Sequence, residues 1–155
     1  MMLVLAAALH AVLSALLGPI GASTPLHTAG MAGTEVTVTV TGLRSAKGVV
    51  RACLTQDPRE FPKCESEQDY RLVAPASPST TFTFSGVMPG RYAIALLHDE
   101  NRNGKIDRAL FLMPKEGFGF SRDAPVRMGP PKFEAAAFAV DHDPVHQVIH
   151  MRYML

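Results

Sequence analysis

The chain has 155 residues, and its 15 Lys and Arg against 14 Asp and Glu give a formal net charge of +1. This length is typical of one domain. The balanced charge excludes the strongly basic surface that nucleic-acid binding requires. Hydrophobic residues make up 47% of the chain, which excludes an intrinsically disordered protein. These properties bound the class of protein but do not identify a reaction.

The N-terminal region has the layout of a secretory signal peptide. Residues 1–34 carry no charged side chain, and an apolar run from Met1 to Leu17 precedes Gly18-Pro19. Small residues follow, as a signal peptidase requires, and we predict cleavage after Ala22, with Ala32 as the alternative site. A membrane anchor is the competing interpretation, but the run is shorter than the roughly 20 residues that a spanning helix needs.

We therefore expect three segments and an exported protein. Residues 1–22 form the signal peptide, residues 23–34 a flexible segment, and residues 35–155 the folded domain. The mature protein is expected in the periplasm or outside the cell, with no membrane span after cleavage of the signal. In such an oxidising compartment Cys53 and Cys64 are expected to form a disulfide, the alternative being two unpaired thiols.

The rest of the chain has the pattern of short strands. Residues 35–41 alternate strictly between Val and Thr after Glu35, which predicts a half-buried strand. Further strands are predicted at residues 49–54, 70–73, 80–84, 91–97 and 145–153, with a short helical turn and then a strand in residues 133–140. About seven strands separated by turns predict an all-β, two-sheet sandwich, immunoglobulin-like or prealbumin-like, with a long insertion at residues 98–132.

The insertion begins with the pattern of a calcium loop. Side chains that carry oxygen recur at Asp99, Asn101 and Asn103, and Gly104 follows where the chain must turn. The Lys105 carbonyl and the Asp107 carboxylate continue the spacing of the Asp-x-Asn-x-Asn-Gly type. The sequence therefore predicts calcium as a cofactor, bound weakly, on the order of 10⁻⁴–10⁻³ M.

This match is incomplete at its end. Leu110 stands at the twelfth position, where a bidentate Glu is expected, so Glu116 or Asp123 would have to complete the coordination shell. A predicted strand, not a helix, precedes the loop, so the loop is not an EF-hand. The alternative is a turn whose Asn and Asp side chains cap its own backbone amides.

Histidines give a weaker signal. His142, His146 and His150 recur every four residues, but Pro144 and the predicted strand place His146 and His150 roughly 13 Å apart on one face. That separation is too large for one metal ion. His98 precedes Asp99 directly on a strand, so their side chains point to opposite faces and do not form a ready-made dyad.

Three segments in the same order resemble a bacterial exported family, domain of unknown function 2141. They are His98–Asp107, Pro114–Ser121 and Pro130–Phe138, and the likeness extends from about Val36 to Tyr153. The resemblance implies a small exported β-sandwich without an established activity. It also implies that the first two segments are the site-like ones, from which we take these candidates for ligand binding: His98, Lys115, Phe118, Phe120 and Ser121.

Two classes of function follow from these observations. The first is a non-catalytic binding or structural module, with its insertion organised by calcium and its partner an unknown protein or cell-surface ligand. The second is a hydrolase-like enzyme with a site on residues 98–123, assembled from His98, Lys115, Glu116 and Arg122. Their residue types allow acid–base chemistry, but no spacing of a nucleophile and a base supports it. We expect convergence of His98 and Glu116 in one cleft if the protein is an enzyme.

Overall fold

A computed structural model describes residues 33–108 and 113–155. The predicted signal peptide and most of the predicted flexible segment lie outside these residues. Within the described residues the elements are, in chain order, β1 Thr34–Thr41, β2 Val49–Thr55, β3 Tyr70–Pro75, β4 Thr80–Val87, β5 Gly90–Asp99, β6 Gly117–Phe120, a 3-10 turn at Ser121–Asp123, α1 Phe133–Ala136, β7 Phe138–Val140 and β8 Val145–His150.

The strands form two sheets, as an all-β sandwich requires. The smaller sheet has the order β4-β1-β8, with β1 antiparallel to β4 and parallel to β8. The larger sheet has the order β3-β2-β5-β6, and β7 pairs with the first residues of β5. β5 therefore lies in the middle of the larger sheet, as its nearly continuous apolar sequence predicts.

Strict alternation in β1 produces the main core between the sheets. Val36, Val38 and Val40 are fully buried against apolar side chains of the larger sheet. The threonines between them lie on the opposite face, where the Thr37 hydroxyl is 3.0 Å from that of Thr83 on β4. The two-residue period of a strand explains this division into an apolar and a polar face.

A second core covers the outer face of β5. Phe61, Phe120 and Phe133 meet there edge to face, with ring centroids 5.7 and 6.1 Å apart around Phe61. The Cys53–Cys64 disulfide ties the connection after β2 to the sheet beside this cluster. Both faces of β5 are therefore buried, and the predicted disulfide is present in the structure.

One strand was not predicted. β6 contains Gly117 and Gly119, residues that weaken the strand signal. Both glycines are required by close packing, because a Cβ at Gly117 would meet the Tyr153 ring and a Cβ at Gly119 would lie 2.8 Å from Ile149. Part of the expected insertion is consequently a fourth strand of the larger sheet.

Other boundaries differ slightly from those predicted. β4 continues to Val87, so that only Met88 and Pro89 separate it from β5. β8 ends at His150 instead of continuing to Tyr153. The chain leaves the smaller sheet there, and Arg152 pairs with Phe118 on β6.

Candidate functional site

Asp99 ends β5 and begins the loop that the sequence singled out. Alternation along β5 places Asp99 on the outer face of the larger sheet, while His98 points towards the space between the sheets. Both side chains are fully buried. They share no hydrogen-bond partner, in agreement with the expectation that these neighbours do not form a dyad.

Three donors surround the Asp99 carboxylate. The backbone N–H groups of Asn103 and Gly104 donate over 3.0 and 2.9 Å. The Nε of Arg51, on β2, donates to Oδ2 over 2.7 Å. Burial alone would raise the pKa of Asp99, but these hydrogen bonds outweigh it and hold the pKa below its usual value. Asp99 is therefore ionised and joins the loop to β2.

The two asparagines cap the backbone of their own loop. Asn101 Oδ1 accepts a hydrogen bond from the Asn103 N–H at 3.1 Å, and Asn103 Oδ1 accepts one from the Lys105 N–H at 2.8 Å. Gly104 has a φ of +74°, in the left-handed region that glycine adopts without steric cost. The loop thus has the internal hydrogen bonds of a self-capped turn.

Two carboxylates meet on the far side of the loop. The side-chain amides of Asn101 and Asn103 donate to the Asp107 carboxylate over 2.6 to 3.0 Å and lower its pKa. The Asp107 N–H donates to Glu116 Oε2 over 2.7 Å. Burial and the neighbouring charge of Asp107 raise the pKa of Glu116, which is only 4% exposed.

The sequence offers Glu116 and Asp123 as alternatives for completing a coordination shell. The structure places Glu116 at the loop. Asp123 belongs to the 3-10 turn instead, and its carboxylate accepts a hydrogen bond from the His150 backbone N–H. Leu110, at the twelfth position of the pattern, lies outside the described residues.

The donor set of the loop consists of hard oxygens, which suit calcium. Among residues 33–108 and 113–155, no three His, Cys, Asp or Glu side chains come close enough to hold a metal ion. A cation would therefore need amide and carbonyl oxygens as well as carboxylates. The predicted ligands that belong to the loop or contact it are Asp99, Asn101, Asn103, Lys105, Asp107 and Glu116.

His98 is anchored inside the protein. Its Nε2 lies 2.8 Å from the Lys47 carbonyl oxygen, which can only accept, so Nε2 carries a proton. Its Nδ1 lies 2.7 Å from the Tyr153 hydroxyl, so both ring nitrogens have a partner within the protein. Burial raises the pKa of Tyr153. His98 therefore reaches a substrate only if Tyr153 moves.

Arg44 connects three parts of the chain beside His98, and sequence analysis did not single it out. Its guanidinium donates to the Glu100 carboxylate and to the carbonyl oxygens of Lys115 and Leu155. The hydrogen bond from Arg44, with a further one from Ser45, lowers the pKa of Glu100 to about 2. This pair braces the chain next to the loop.

The remaining candidates on the second segment are largely internal. Phe118 is half-buried and Phe120 is buried in the second core. The buried Ser121 hydroxyl accepts from the Ile94 N–H at 2.9 Å and donates to the Ala136 carbonyl at 2.6 Å. Lys115 alone of this group has an exposed side chain.

The four residues of the enzyme hypothesis do not share one site: Lys115 and Glu116 both contact Asp107, whereas His98 and Arg122 have other partners. His98 contacts Tyr153, Glu116 contacts Asp107, and Arg122 donates to the Ala137 carbonyl over 3.2 Å. His98 and Glu116 share no hydrogen-bond partner, so the convergence that would favour an enzyme is not observed. His146 and His150 share an exposed face of β8 but contact different threonines, Thr39 and Thr41, as their strand spacing predicts.

A cavity of about 220 Å³ lies at the opposite end of β2 and β5 from the loop. None of the predicted site residues lines it. Its walls come from the end of β2, the connection after β2, the first residue of β3, the turn before β5 and the start of β5. The lining residues are Thr55, Gln56, Asp57, Ser66, Gln68, Asp69, Tyr70, Met88 and Tyr92.

In the described part of the chain, no helix has both the length and the apolar character needed to cross a membrane.

Comparisons with known proteins identify the family of the chain. No curated protein and no solved structure matches the chain. A family model described as "Uncharacterized protein conserved in bacteria (DUF2141)" matches residues 38–148. This span exceeds two thirds of the chain and confirms the resemblance of the three segments. The chain belongs to the DUF2141 family.

Proposed function

We propose that this protein is an exported, non-catalytic binding module in which the loop from Asp99 to Asp107 takes a calcium ion. The ordered loop would then present a surface to a partner protein or a cell-surface ligand. Membership of DUF2141 is consistent with this role but assigns no activity. The support comes from the loop and from the signal-like N-terminal sequence.

The meeting of Asp107 and Glu116 carries the proposal. The Glu116 side chain is almost fully buried, its Oε2 accepts from the Asp107 backbone N–H, and the charge of the Asp107 side chain raises its pKa, so the two carboxyl groups are neighbours. The hydrogen bonds to the Asp107 carboxylate come from the neutral amides of Asn101 and Asn103, and the one positive charge that lowers its pKa is that of Lys115. A divalent cation relieves repulsion between neighbouring carboxylates.

The hydrogen bonds of the loop also explain why the affinity is expected to be weak. Asn101 and Asn103 approach Asp107 through their NH₂ groups, so the two amides must rotate to give carbonyl oxygens to the ion. Arg51 already compensates Asp99. A dissociation constant on the order of 10⁻⁴–10⁻³ M, as in extracellular calcium modules, fits these costs.

Calcium would connect the two ends of the chain segment between β5 and β6. Asp99 and Asp107 belong to the loop that leaves β5, whereas Glu116 immediately precedes β6. An ion shared by Asp107 and Glu116, with amide and carbonyl oxygens completing its shell, would hold the end of the loop against the start of β6. The surface offered to a partner is therefore expected to be ordered only when calcium is present.

Thermal unfolding tests this function. The oxidised, exported protein is compared in EDTA, in calcium and in magnesium, with Asp107→Asn as the test variant and the exposed Asp141→Asn as its matched control. Calcium at about tenfold its dissociation constant should stabilise wild type and Asp141→Asn by about 1.4 kcal/mol, and Asp107→Asn much less. Equal midpoints in EDTA and millimolar calcium would refute the metal site.

Export is tested separately. The N-terminal residue of the protein recovered from the periplasm or medium should be Ser23, which follows the predicted cleavage after Ala22. Recovery of the full-length chain from the cytoplasm alone would contradict export.

A further inference from the structure

The cavity of about 220 Å³ at the far end of β2 and β5 takes no part in the proposed function. Its size suits a small molecule, since an apolar cavity of about 150 Å³ is large enough for benzene. Tyr92, at the start of β5, lines it and is only 1% exposed. Gln56 and Gln68, in the connection after β2, also line it and are exposed. The cavity therefore extends from the core of the domain to its surface.

We propose that this cavity binds a small organic cation, an ammonium group carried on a short apolar body. This site goes beyond the proposed function, because no residue of the loop from Asp99 to Asp107 belongs to it. The aromatic lining, the charge of the lining and the fixed position of one wall support this class of ligand.

The larger side chains of the lining are aromatic. Tyr70 and Tyr92 lie with their ring centroids 6.2 Å apart and their planes inclined at 64°. Their hydroxyl groups are already engaged, since Tyr70 donates to the Gly86 carbonyl oxygen over 3.2 Å. Tyr92 donates to the Met88 carbonyl oxygen over 2.9 Å. The rings therefore contribute aromatic surface, and the π face of such a ring attracts a cation within about 6 Å of its centroid.

The charge of the lining is negative. Asp57 and Asp69 are its two carboxylates, and no Lys, Arg or His is among the described residues that line it. Asp57 is paired with Arg59 at 2.9 Å. Asp69 forms no ion pair with a described residue, and its Oδ2 accepts from the Ser66 N–H over 3.2 Å. Asp69 is therefore the carboxylate that remains for a ligand cation.

The connection after β2 adds to this negative field. Residues 56–69 contain five acidic and two basic residues, in a chain whose formal net charge is +1. The excess of negative charge is thus local to the connection that lines the cavity. A cleft lined by one sign of charge raises the local concentration of ligands of the opposite sign. The field therefore favours a cation over an anion of similar shape.

The disulfide and local hydrogen bonds hold this connection in place. Cys64 joins it to Cys53 on β2. The Glu60 carboxylate accepts from the backbone N–H groups of Glu65 and Ser66 over 3.0 and 3.1 Å. A wall that is fixed before binding loses little conformational entropy when a ligand enters. The cavity is therefore preformed in the oxidised protein.

Three probes of similar shape test the class of ligand: butylammonium, butanol and butyrate, which are cationic, neutral and anionic. Each is titrated into the ¹⁵N-labelled, oxidised protein in EDTA at equal ionic strength, and the amide NMR signals of Gln56 and Gln68 are followed. The shifts with butylammonium should saturate. Butanol and butyrate should bind at least about fivefold more weakly, the effect of one ion pair at 4 Å even in bulk water.

Two pairs of variants test the residues. Asp69→Asn keeps an oxygen that can accept the Ser66 N–H but carries no charge, so it should bind butylammonium at least about fivefold more weakly than wild type. Glu67→Gln is its matched control, because Glu67 is an exposed acid of the same connection that does not line the cavity, and it should bind as wild type does. Tyr70→Leu should weaken binding of butylammonium, whereas Tyr70→Phe, which keeps the ring, should not.

The probe series needs no variant, so it decides the class of ligand even if a variant fails to fold. Absence of saturable shifts with butylammonium, or equal affinities of the wild type for butylammonium and butanol, would overturn the proposal. Equal affinities of wild type and folded Asp69→Asn for butylammonium would overturn it as well. None of these results bears on calcium, because the titrations are made in EDTA.

Discussion

The Cys53–Cys64 disulfide offers a prediction whose magnitude follows from the structure. The two cysteines are 11 residues apart and both are buried. In the chain-entropy model, closing a loop of this length stabilises the folded state by about 2.8 kcal/mol at 25 °C. Reduction should remove about this amount, a large share of the total stability of a small domain.

The position of the disulfide beside the second core gives reduction a second destabilising effect. The bridged segment carries Phe61 into the second core, where it contacts Phe120 and Phe133. Once the segment is free, its packing alone must hold Phe61 in place. We therefore expect the loss to equal or exceed the entropic value.

Urea unfolding of the oxidised protein, the reduced protein and the double variant Cys53→Ala/Cys64→Ala measures the difference. The two forms without the bridge should unfold at lower urea, and a larger m-value should report a more expanded unfolded chain. A midpoint that does not change on reduction would show that packing around Phe61 fixes the segment without the bridge.

Three further predictions concern single residues. Folding raises the pKa of Glu116 above its ordinary value of 4.5, so the ionised side chain destabilises the folded state at pH values above 4.5. In thermal unfolding at pH 7 in EDTA, Glu116→Gln should therefore be more stable than wild type, and it should respond less to calcium. The pKa of Glu100 is lowered to about 2, so ionised Glu100 stabilises the folded state fully above pH 4.5, and this stabilisation is lost as the pH falls through 2. Glu100→Gln should lower the free energy of unfolding at pH 7 by about 1–2 kcal/mol, allowing for partial exposure. The variant should also lose less stability than wild type on acidification. Gly117→Ala should displace the Tyr153 ring and cost about 1–3 kcal/mol in urea unfolding. Unchanged stability in any of these would refute the contact concerned.

Strand positions were predictable wherever one face of a strand is buried. Val36, Val38 and Val40 alternate with threonine, and only a strand places three such residues in one core. β6 gave no such signal because Gly117 and Gly119 are there for close packing with Tyr153 and Ile149. Those contacts join residues more than 29 positions apart, which no local pattern reveals.

The candidate site was predictable only in part, for a similar reason. The spacing of Asp99, Asn101 and Asn103 identifies the loop because its contacts are local. Arg51 was missed because its contact with Asp99 depends on the register of β2 against β5, where Val49 pairs with Asp99. Arg51 lies on the same face of β2 as Val49, and this position together with the register would predict its contact with Asp99.

NMR titration of the ¹⁵N-labelled, oxidised protein with calcium measures binding at the loop itself. The signals to follow are the Gly104 amide and the side-chain NH₂ groups of Asn101 and Asn103, which must rotate to bind the ion. A calcium site at the loop predicts saturable shifts at all three with one dissociation constant on the order of 10⁻⁴–10⁻³ M, and no saturation with sodium at equal ionic strength. Signals that stay in place through millimolar calcium would contradict it and leave the segment a self-capped turn.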